Sequence, residues 1–384
     1  MKVGVNALFM IPGEVGGSET YLRRTLVAAA KNFPQHEFIV FTNTENTNVL
    51  ARDLMAMGNV ILVDMHVKAM SRIRRVRCEQ RLLPRVIKGN GIDVLWNPGN
   101  TAPFRITCPQ VTCIYDMQFM HFPEDFSQAG LFFTRFFTRS SLRRSHTVLT
   151  LSEFSRQEIA HFTDTPFEKM RVTLLAATEE FSKPLRGTVI AERTTALVRS
   201  SDPYILVVAN TYPHKSVETA VRAFGLISNN IPHRLVVVGK PRLGEPAVQE
   251  AIEELADPGR VVRIHAVSKP DLIALYQGAA LFVFPSKYEG FGLPVLEAMC
   301  AGVPVVTTRE GSIPEVGGDA VTYTEAGDVG ALSEAIRQLL SIDDDARRGM
   351  VEKGRLRAAS FSWDATARTT IAACEEAVRD VGKD

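Results

Sequence analysis

The chain has 384 residues, more than one hydrophobic core usually holds, and this length favours two domains. Its 45% hydrophobic and 23% charged residues are typical of a globular protein, and a net charge of +1 excludes a general electrostatic attraction to nucleic acid. No apolar run is long enough for a membrane-spanning helix, and the five cysteines lack C-x-x-C spacing. We therefore expect a cytoplasmic protein with free thiols.

In the first half of the chain, short apolar runs alternate with segments of helical periodicity. This alternation predicts an α/β domain in which helices cover a parallel sheet. The first predicted strand leads into a glycine-rich turn at 13–17 and then into an amphipathic helix that Ser18 can cap. The predicted strands of this half lie near 2–6, 37–41, 60–64, 94–96, 110–114 and 147–151.

The second half repeats this plan, so the sequence predicts two doubly wound domains in tandem. We assign 1–185 to the first domain, 186–202 to a polar linker and 203–362 to the second domain. A helix over 363–384 has no strand after it and is expected to cross back to the first domain. The predicted strands of this half lie near 204–209, 235–238, 261–264, 281–285, 303–306 and 320–323.

The most informative segment follows the strand at 281–285. Pro294 suits the first turn of a helix and Gly302 suits its end, which predicts a helix over 293–301. A helix amino end preceded by glycines can present bare N–H groups to an anion. The carboxylate of Glu289 lies just before this end and that of Glu297 one turn inside, where they could accept hydrogen bonds from sugar hydroxyls and from a ribose diol. Packing glycines and a solvated Glu297 are the alternative.

The run 284–306 carries two glutamates separated by seven residues, and it resembles the donor site of the family 4 retaining glycosyltransferases. The resemblance implies a GT-B fold, in which two Rossmann-like domains face each other across a cleft. It also implies that Glu297 binds the ribose of a nucleotide sugar and that Glu289 contacts the donor sugar. The residues between them are expected to approach the sugar and the diphosphate: Gly290, Phe291, Gly292 and Leu293.

Two loops of the second half extend this resemblance. The family places a phosphate-binding lysine in the loop after the strand at 204–209, which corresponds to Lys215. Many relatives also carry an arginine where this sequence has Asn210, so the diphosphate charge is matched differently here. Val267 and Leu272 lie in the loop that holds the nucleotide base in relatives.

In the first half, the turn with Gly16 and Gly17 is similar to the family's glycine loop that reaches the donor. The strand at 110–114 is similar to one that ends in His-Asp in relatives, where Asp116 matches but Tyr115 replaces the histidine. We predict catalytic roles for Glu289, Lys215 and Asp116. An Asx turn would also explain Asp116, and we favour an exposed position without a role for His121.

Two further patterns do not indicate a site by themselves. The acidic run 343–345 is better explained as the amino end of a helix than as a metal-binding motif, and we expect no metal and no cofactor. The basic and apolar stretches 72–85 and 131–144 could contact an anionic membrane from the inner face. We favour domain helices whose Phe and Leu side chains face the sheet.

Together, these features predict a retaining, metal-independent transfer of a hexose, such as mannose, from a GDP- or UDP-sugar to a hydroxyl of a glycan or lipid-linked acceptor. Bacterial polysaccharide assembly is the expected setting. A nucleotide-sugar epimerase or phosphorylase on the same fold remains an alternative. A non-catalytic sugar-nucleotide-binding subunit is another, since Tyr115 stands where relatives have histidine.

Overall fold

A computed structural model describes residues 1–381, whose strands form two parallel sheets. The first sheet belongs to a unit formed by Met1–Leu175 and the segment from Ser362 onwards, called unit 1. The second sheet belongs to Ala176–Phe361, called unit 2. None of the helices in this described part of the chain is sufficiently long and apolar to cross a membrane.

Unit 1 contains a seven-stranded sheet in the order β3-β2-β1-β4-β5-β6-β7. The strands β4, β5 and β6 are buried along their whole length, as expected for strands covered on both faces. Six strands match the predicted positions and the seventh, only three residues long, escaped prediction. The strands are β1 (Lys2–Asn6), β2 (Glu37–Thr42), β3 (Val60–Asp64), β4 (Val94–Asn97), β5 (Gln110–Cys113), β6 (Thr147–Thr150) and β7 (Met170–Val172).

The helices of unit 1 lie in the connections between these strands, except between β4 and β5, which a loop joins. A single π-helical turn, Cys78–Leu82, interrupts the helical segment between β3 and β4. The helices are α1 (Gly17–Asn32), α2 (Thr47–Leu54), α3 (Arg72–Arg77), α4 (Leu83–Asn90), α5 (Gln118–His121), α6 (Gln128–Arg144) and α7 (Glu153–Thr163).

Two predictions about these helices are wrong. Gly16, not Ser18, is the N-cap of α1, because the helix begins earlier and the Ser18 hydroxyl donates to the carbonyl of Val15 over 2.8 Å. In α6, Phe132, Phe133 and Phe136 do not face the sheet and are exposed. That helix instead buries Thr138, Ser140 and Ser141 together with Leu142, so the expectation of inward-facing side chains holds for this leucine but not for the three phenylalanines.

Unit 2 contains a six-stranded sheet in the order β10-β9-β8-β11-β12-β13. All of its strands were predicted, to within a few residues at their ends. The strand order reverses between β8 and β11, where Ile205 pairs with Leu281. Open α/β sheets bind their ligands at such a point, beyond the carboxyl ends of the strands. The strands are β8 (Tyr204–Val208), β9 (Arg234–Val238), β10 (Val261–Ile264), β11 (Leu281–Phe284), β12 (Val305–Thr308) and β13 (Thr322–Thr324).

The segment 186–202, expected to be a linker, instead contains the first helix of unit 2. Its residues Thr194 and Val198 are buried and it packs on a helix beside β8, so tertiary packing outweighs the weak helical pattern. The helix over 293–301 begins and ends where predicted. The helices are α8 (Gly187–Val198), α9 (Val217–Ile227), α10 (Glu245–Glu253), α11 (Lys269–Gly278), α12 (Leu293–Ala301), α13 (Ile313–Gly317), α14 (Val329–Leu340) and α15 (Asp344–Ala359).

The last helix, α16 (Trp363–Val381), packs against α1 in unit 1. It turns a buried face of small residues toward the unit, and Asn32 donates to Asp364 over 2.7 Å. The hydroxyl of Thr366 donates to the carbonyl of Leu174. Residues 382–384 of the expected terminal helix lie outside the described residues.

Candidate active site

Lys215 lies beyond the carboxyl end of β8, at the point where the strand order of unit 2 reverses. The loop tightens into a one-turn 3-10 helix, Pro213–Lys215, and continues through Ser216 with φ of +52°. A non-glycine residue in this left-handed region costs free energy, and such conformations cluster at functional loops. The neighbouring His214 is buried, and burial together with the charge of Lys215 lowers its pKa to about 3. Lys215 is therefore the cation that this loop presents.

Asn210 stabilises the start of the same loop, directly after β8. Its side-chain oxygen accepts a hydrogen bond from the amide of Lys240, in the loop after β9, over 2.9 Å. The residue thus ties two loops together at the carboxyl edge of the sheet.

Glu289 follows β11 and is held through both its side chain and its backbone. Its carboxylate accepts from the Nζ of Lys215 over 2.5 Å, and the side chain is 9% exposed. Its carbonyl accepts from the amide and the hydroxyl of Ser312 over 3.0 and 2.9 Å. Gly311 makes this approach possible, since its φ is +61° and a Cβ there would lie 2.5 Å from the Glu289 carbonyl oxygen. The loop after β12 therefore fixes the loop after β11.

The amino end of α12 lies directly after this loop. Gly292 is its N-cap with φ of +97°, and a Cβ there would meet nothing nearer than 3.8 Å. The amides of a first helical turn have no partner within the helix, and Pro294 has none to offer. The amides of Gly292 and Leu293 therefore have no partner within the helix and lie at the positive end of its dipole, as an anion site requires. Phe291 is buried against Phe361, with ring centroids 5.9 Å apart, which anchors the turn.

Glu297 lies one turn inside α12 and is half-buried. The hydroxyl of Tyr276, from α11, donates to its Oε2 over 3.2 Å. Burial raises the pKa of Glu297 to about 7, against the lowering effects of this hydrogen bond and of Lys269. A half-buried carboxyl with a single phenol partner retains unused acceptor positions, which a diol could fill.

Val267 and Leu272 lie at the edge of the sheet, two strands away from β8. Val267 follows β10, and Leu272 is on the first turn of α11, whose N-cap is Ser268. Both side chains are half-buried. Val267 therefore lies beyond the carboxyl edge at the end of a strand two places from β8 and three from β11. Leu272 is on α11, the same helix that carries Tyr276.

In unit 1, the turn with Gly16 and Gly17 follows β1, which neighbours β4 at the point where that sheet reverses its order. Gly16 has φ of +57°, and both glycines are exposed with no atom within 4 Å of an added Cβ. This turn therefore offers backbone amides with open space around them. Its conformation requires glycine at position 16.

Asp116 and Tyr115 follow β5 and line a pocket of about 340 Å³ in unit 1. The carboxylate of Asp116 accepts from the amide of Gln118 over 3.1 Å, which is the Asx turn that the sequence offered as the alternative to a site role. The Tyr115 hydroxyl donates to the carbonyl of Pro98, and its ring meets Tyr21 edge to face at 5.7 Å. Tyr115 thus fills its position as a packed, hydrogen-bonded side chain. His121 does not line the pocket and pairs with Glu158.

Side-chain caps start two of the helices, and the acidic run 343–345 is the amino end of a helix as predicted. Ser152 accepts from the amide of Ser155 at the start of α7, and Asp343 accepts from that of Ala346 at the start of α15. Within residues 1–381, no cluster of three His, Cys, Asp or Glu side chains is arranged to hold a metal ion. The five cysteines are free thiols.

Comparison with known proteins agrees with this arrangement. The family model for glycosyl transferases group 1 matches residues 191–357. The O-antigen chain mannosyltransferase B of Escherichia coli is 30% identical over 265 residues, which are 68% of this chain and 68% of that protein. The chain belongs to the glycosyl transferase group 1 family. The serotype-specific mannosyltransferase WbdA of Escherichia coli is 28% identical over 60% of this chain, a match that spans only 29% of that longer protein.

A solved structure gives the fold. Anabaena Alr3699/HepE, in complex with UDP and glucose, superposes with a TM-score of 0.72 and 18% identity, over 96% of this chain and 97% of that one. The predictions of family, of two Rossmann-like domains with the GT-B fold and of glycosyltransferase activity are confirmed. The roles of the individual residues stay predictions.

Sequence reasoning missed three residues that hold the site of this glycosyltransferase. Gly311 and Ser312 position the backbone of Glu289, and Tyr276 holds Glu297. A glycine and a serine shortly after β12 were a signal for a tight turn, but Glu289, the partner of Ser312, lies 23 residues earlier in the chain. Tyr276 carried no signal, because its helical segment is apolar and its phenol looks like a core residue.

Proposed function

We propose that this protein is a retaining glycosyltransferase that takes a hexose from a nucleoside-diphosphate sugar without a metal ion. The observation that carries the proposal is the pairing of Lys215 with Glu289, 2.5 Å apart, beside the amino end of α12. The cation and the helix amides suit the diphosphate of such a donor, Glu289 suits its sugar, and Glu297 in α12 suits its ribose.

The leaving group of sugar transfer is a nucleoside diphosphate, on which negative charge develops as the glycosidic bond breaks. Donors already aimed at that charge lower the barrier, since they need no rearrangement during the reaction. Lys215 has three N–H donors, so it can keep Glu289 as one partner and still donate to a phosphate oxygen. The amides next to Gly292 and Leu293 add the positive end of the α12 dipole. This charge supply is the basis for proposing that no metal is required.

Glu289 is suited to orienting the sugar rather than to attacking it. Its Oε1 is committed to Lys215, and Ser312 and Gly311 fix its backbone, so the remaining oxygen can accept from sugar hydroxyls in one direction. An ion-paired carboxylate is a weak nucleophile. We therefore propose that configuration is kept by attack on the face that the diphosphate leaves, as the resemblance to the family implies. Glu297 accepts the ribose diol.

The substrates are proposed from the relatives. Two of them are named as mannosyltransferases, one for O-antigen chains and one serotype-specific, which favours mannose or a related hexose and a bacterial surface glycan as acceptor. The HepE structure contains UDP and glucose, which supports a nucleotide-sugar donor and leaves both GDP and UDP donors to be tested.

Calorimetric titration of the purified protein with GDP-, UDP-, ADP- and dTDP-sugars tests the donor assignment. One donor should bind, and Lys215→Ala should weaken its binding by tenfold or more, because a charge-assisted contact to phosphate is lost. Lys183→Ala is the matched control, since it removes a lysine that pairs with Glu179 on the surface of the same unit. Equal affinity of the two variants would contradict the assignment.

Retention has its own test. NMR of the product formed from the bound donor should show the donor's own anomeric configuration, and an inverted product would refute the proposed mechanism. Hydrolysis or epimerisation without any acceptor product would favour the alternative activities instead.

A further inference from the structure

The pocket of unit 1 next to Asp116 has chemistry that the donor site does not use. It has a volume of about 340 Å³ and opens beyond the carboxyl ends of β4 and β5. Arg72 and Arg75 of α3 line it, together with phenylalanines from α5 and α6. The residue Glu79, from the π-helical turn, completes this wall. Turns of this kind are rare and often occur at functional sites.

The carboxylates of this pocket have hydrogen-bond partners within the protein, whereas the guanidinium of Arg75 has none among the described residues. The carboxylate of Glu79 is buried, and its Oε1 accepts from Asn6 over 3.2 Å and from Thr101 over 2.8 Å. Asp116 is engaged in its Asx turn. Across residues 1–381, by contrast, the guanidinium of Arg75 has neither a hydrogen bond nor an ion pair. The half-buried guanidinium thus keeps unused N–H donors at the pocket.

The titration behaviour of the pocket agrees with this imbalance. Burial lowers the pKa of Arg75, with the charge of Glu79 opposing and that of Arg72 adding to the effect. Burial also raises the pKa of Glu79, more than its hydrogen bond from Thr101 and the charge of Arg75 lower it. The charge of Glu79 therefore acts on Arg75, but neither a hydrogen bond nor an ion pair within residues 1–381 occupies the N–H donors of that guanidinium.

Beside these cations lies an exposed aromatic surface. Phe132, Phe133 and Phe136 of α6 are 65%, 47% and 51% exposed. Phe133 also lines the pocket, and the guanidinium carbon of Arg72 lies 5.9 Å from the centre of its ring. Large apolar side chains exposed next to each other mark interaction surfaces. The pocket and the apolar surface are thus continuous through Phe133.

We propose that this pocket binds the phosphoryl group of an acceptor that also carries an apolar chain, with Arg75 and Arg72 on the phosphate and the phenylalanines of α6 on the chain. The assignment rests on the proposed transferase function, because it names the class of acceptor: a glycan linked through phosphate to a lipid. Guanidinium groups recognise phosphate through parallel N–H donors, which explains two arginines at this position.

Calorimetric titration with dodecyl phosphate, below its micelle concentration, tests the proposal. The wild-type protein should bind it at least tenfold more tightly than inorganic phosphate, because the phosphate alone cannot contact the aromatic surface. Arg75→Gln should weaken the binding of dodecyl phosphate by tenfold or more, because hydrogen bonds from a charged group to the phosphate are lost. Arg72→Gln is a second variant at an exposed residue, which keeps the test valid if Arg75→Gln does not fold.

Arg77→Gln is the matched control, because Arg77 is exposed on the same helix and does not line the pocket. Equal loss in Arg75→Gln and Arg77→Gln would indicate a general attraction between a basic surface and an anionic lipid, and would overturn the proposal. Inorganic phosphate binding as tightly as dodecyl phosphate would also overturn it. Lys215→Ala should weaken the binding of the nucleotide and leave the affinity for dodecyl phosphate unchanged. A failure of the donor assignment is therefore distinguishable from a failure of this proposal.

Discussion

Replacing Glu297 with glutamine should make the ligand-free protein more stable at alkaline pH while weakening its binding to the donor. The carboxyl is half-buried and has one hydrogen-bond partner, Tyr276, so burial favours its neutral form and raises its pKa from 4.5 to about 7. The folded chain therefore holds this proton to a higher pH than the unfolded chain. Its contribution to stability is complete below about pH 4.5 and is lost as the pH rises to about 7.

The size of the effect follows from the shift. At about 1.4 kcal/mol per pKa unit, the carboxylate form costs at most about 3 kcal/mol above pH 7. Glutamine is neutral at every pH, so Glu297→Gln should gain up to this amount at pH 8 and nearly nothing at pH 4.5. If Glu297 accepts both ribose hydroxyls, losing its charge should also weaken nucleotide binding by about 10-fold to 100-fold.

Urea unfolding at pH 5 and pH 8, with calorimetric titration of the donor, measures both effects. Glu253→Gln is the matched control, because Glu253 is exposed near the end of a helix in the same unit and should alter neither quantity. A Glu297→Gln variant whose stability follows pH in parallel with the parent would refute the buried-carboxyl reasoning. A variant with unchanged nucleotide affinity would refute the ribose role.

Other substitutions test the surroundings of the donor loop. Gly311→Ala should destabilise the protein by about 1–3 kcal/mol and reduce transfer, because φ at this position is +61° and the new Cβ would press on the Glu289 carbonyl. Gly349→Ala is the control: it lies inside α15 with open space around it and should stabilise the protein by about 0.5–1 kcal/mol in thermal unfolding. Ser312→Ala should cost about 1 kcal/mol in urea unfolding and lower kcat, and unchanged kcat would contradict its positioning role. Asp343→Ala should lower the free energy of unfolding by about 1 kcal/mol, because a helix cap is lost, and should leave activity intact. EDTA should also leave activity intact, and a loss of activity with EDTA would contradict the metal-free proposal.

Elements with strong local signals were predictable from the sequence. The helix α12 begins and ends where Pro294 and Gly302 place it, and twelve of the strands were found as apolar runs. The strand β7 was missed, since three residues with Arg171 in the middle carry no periodicity. The helix α8 was mistaken for a linker because its helical face is weak and becomes buried only through contacts with α11.

The sequence predicted which local segments belong to the candidate site, but not the contacts between segments that are distant in the chain. The motif around Glu289 and Glu297 indicated which residues to examine, but their partners come from other elements. Lys215 is 74 residues from Glu289 in sequence, and their ion pair follows from two strands that are neighbours in the sheet. The exposure of the α6 phenylalanines was also out of reach, because an apolar side chain looks like a core residue until its surroundings are known.

The measurement closest to the central claim is the transfer rate of Lys215→Ala with the donor that binds. If Lys215 stabilises the departing diphosphate, kcat should fall by about 100-fold or more at saturating donor, while Lys183→Ala retains the parental kcat. Both variants should unfold in a single transition. A kcat for Lys215→Ala within a few-fold of the parent would contradict the account, since the leaving group would then be stabilised elsewhere.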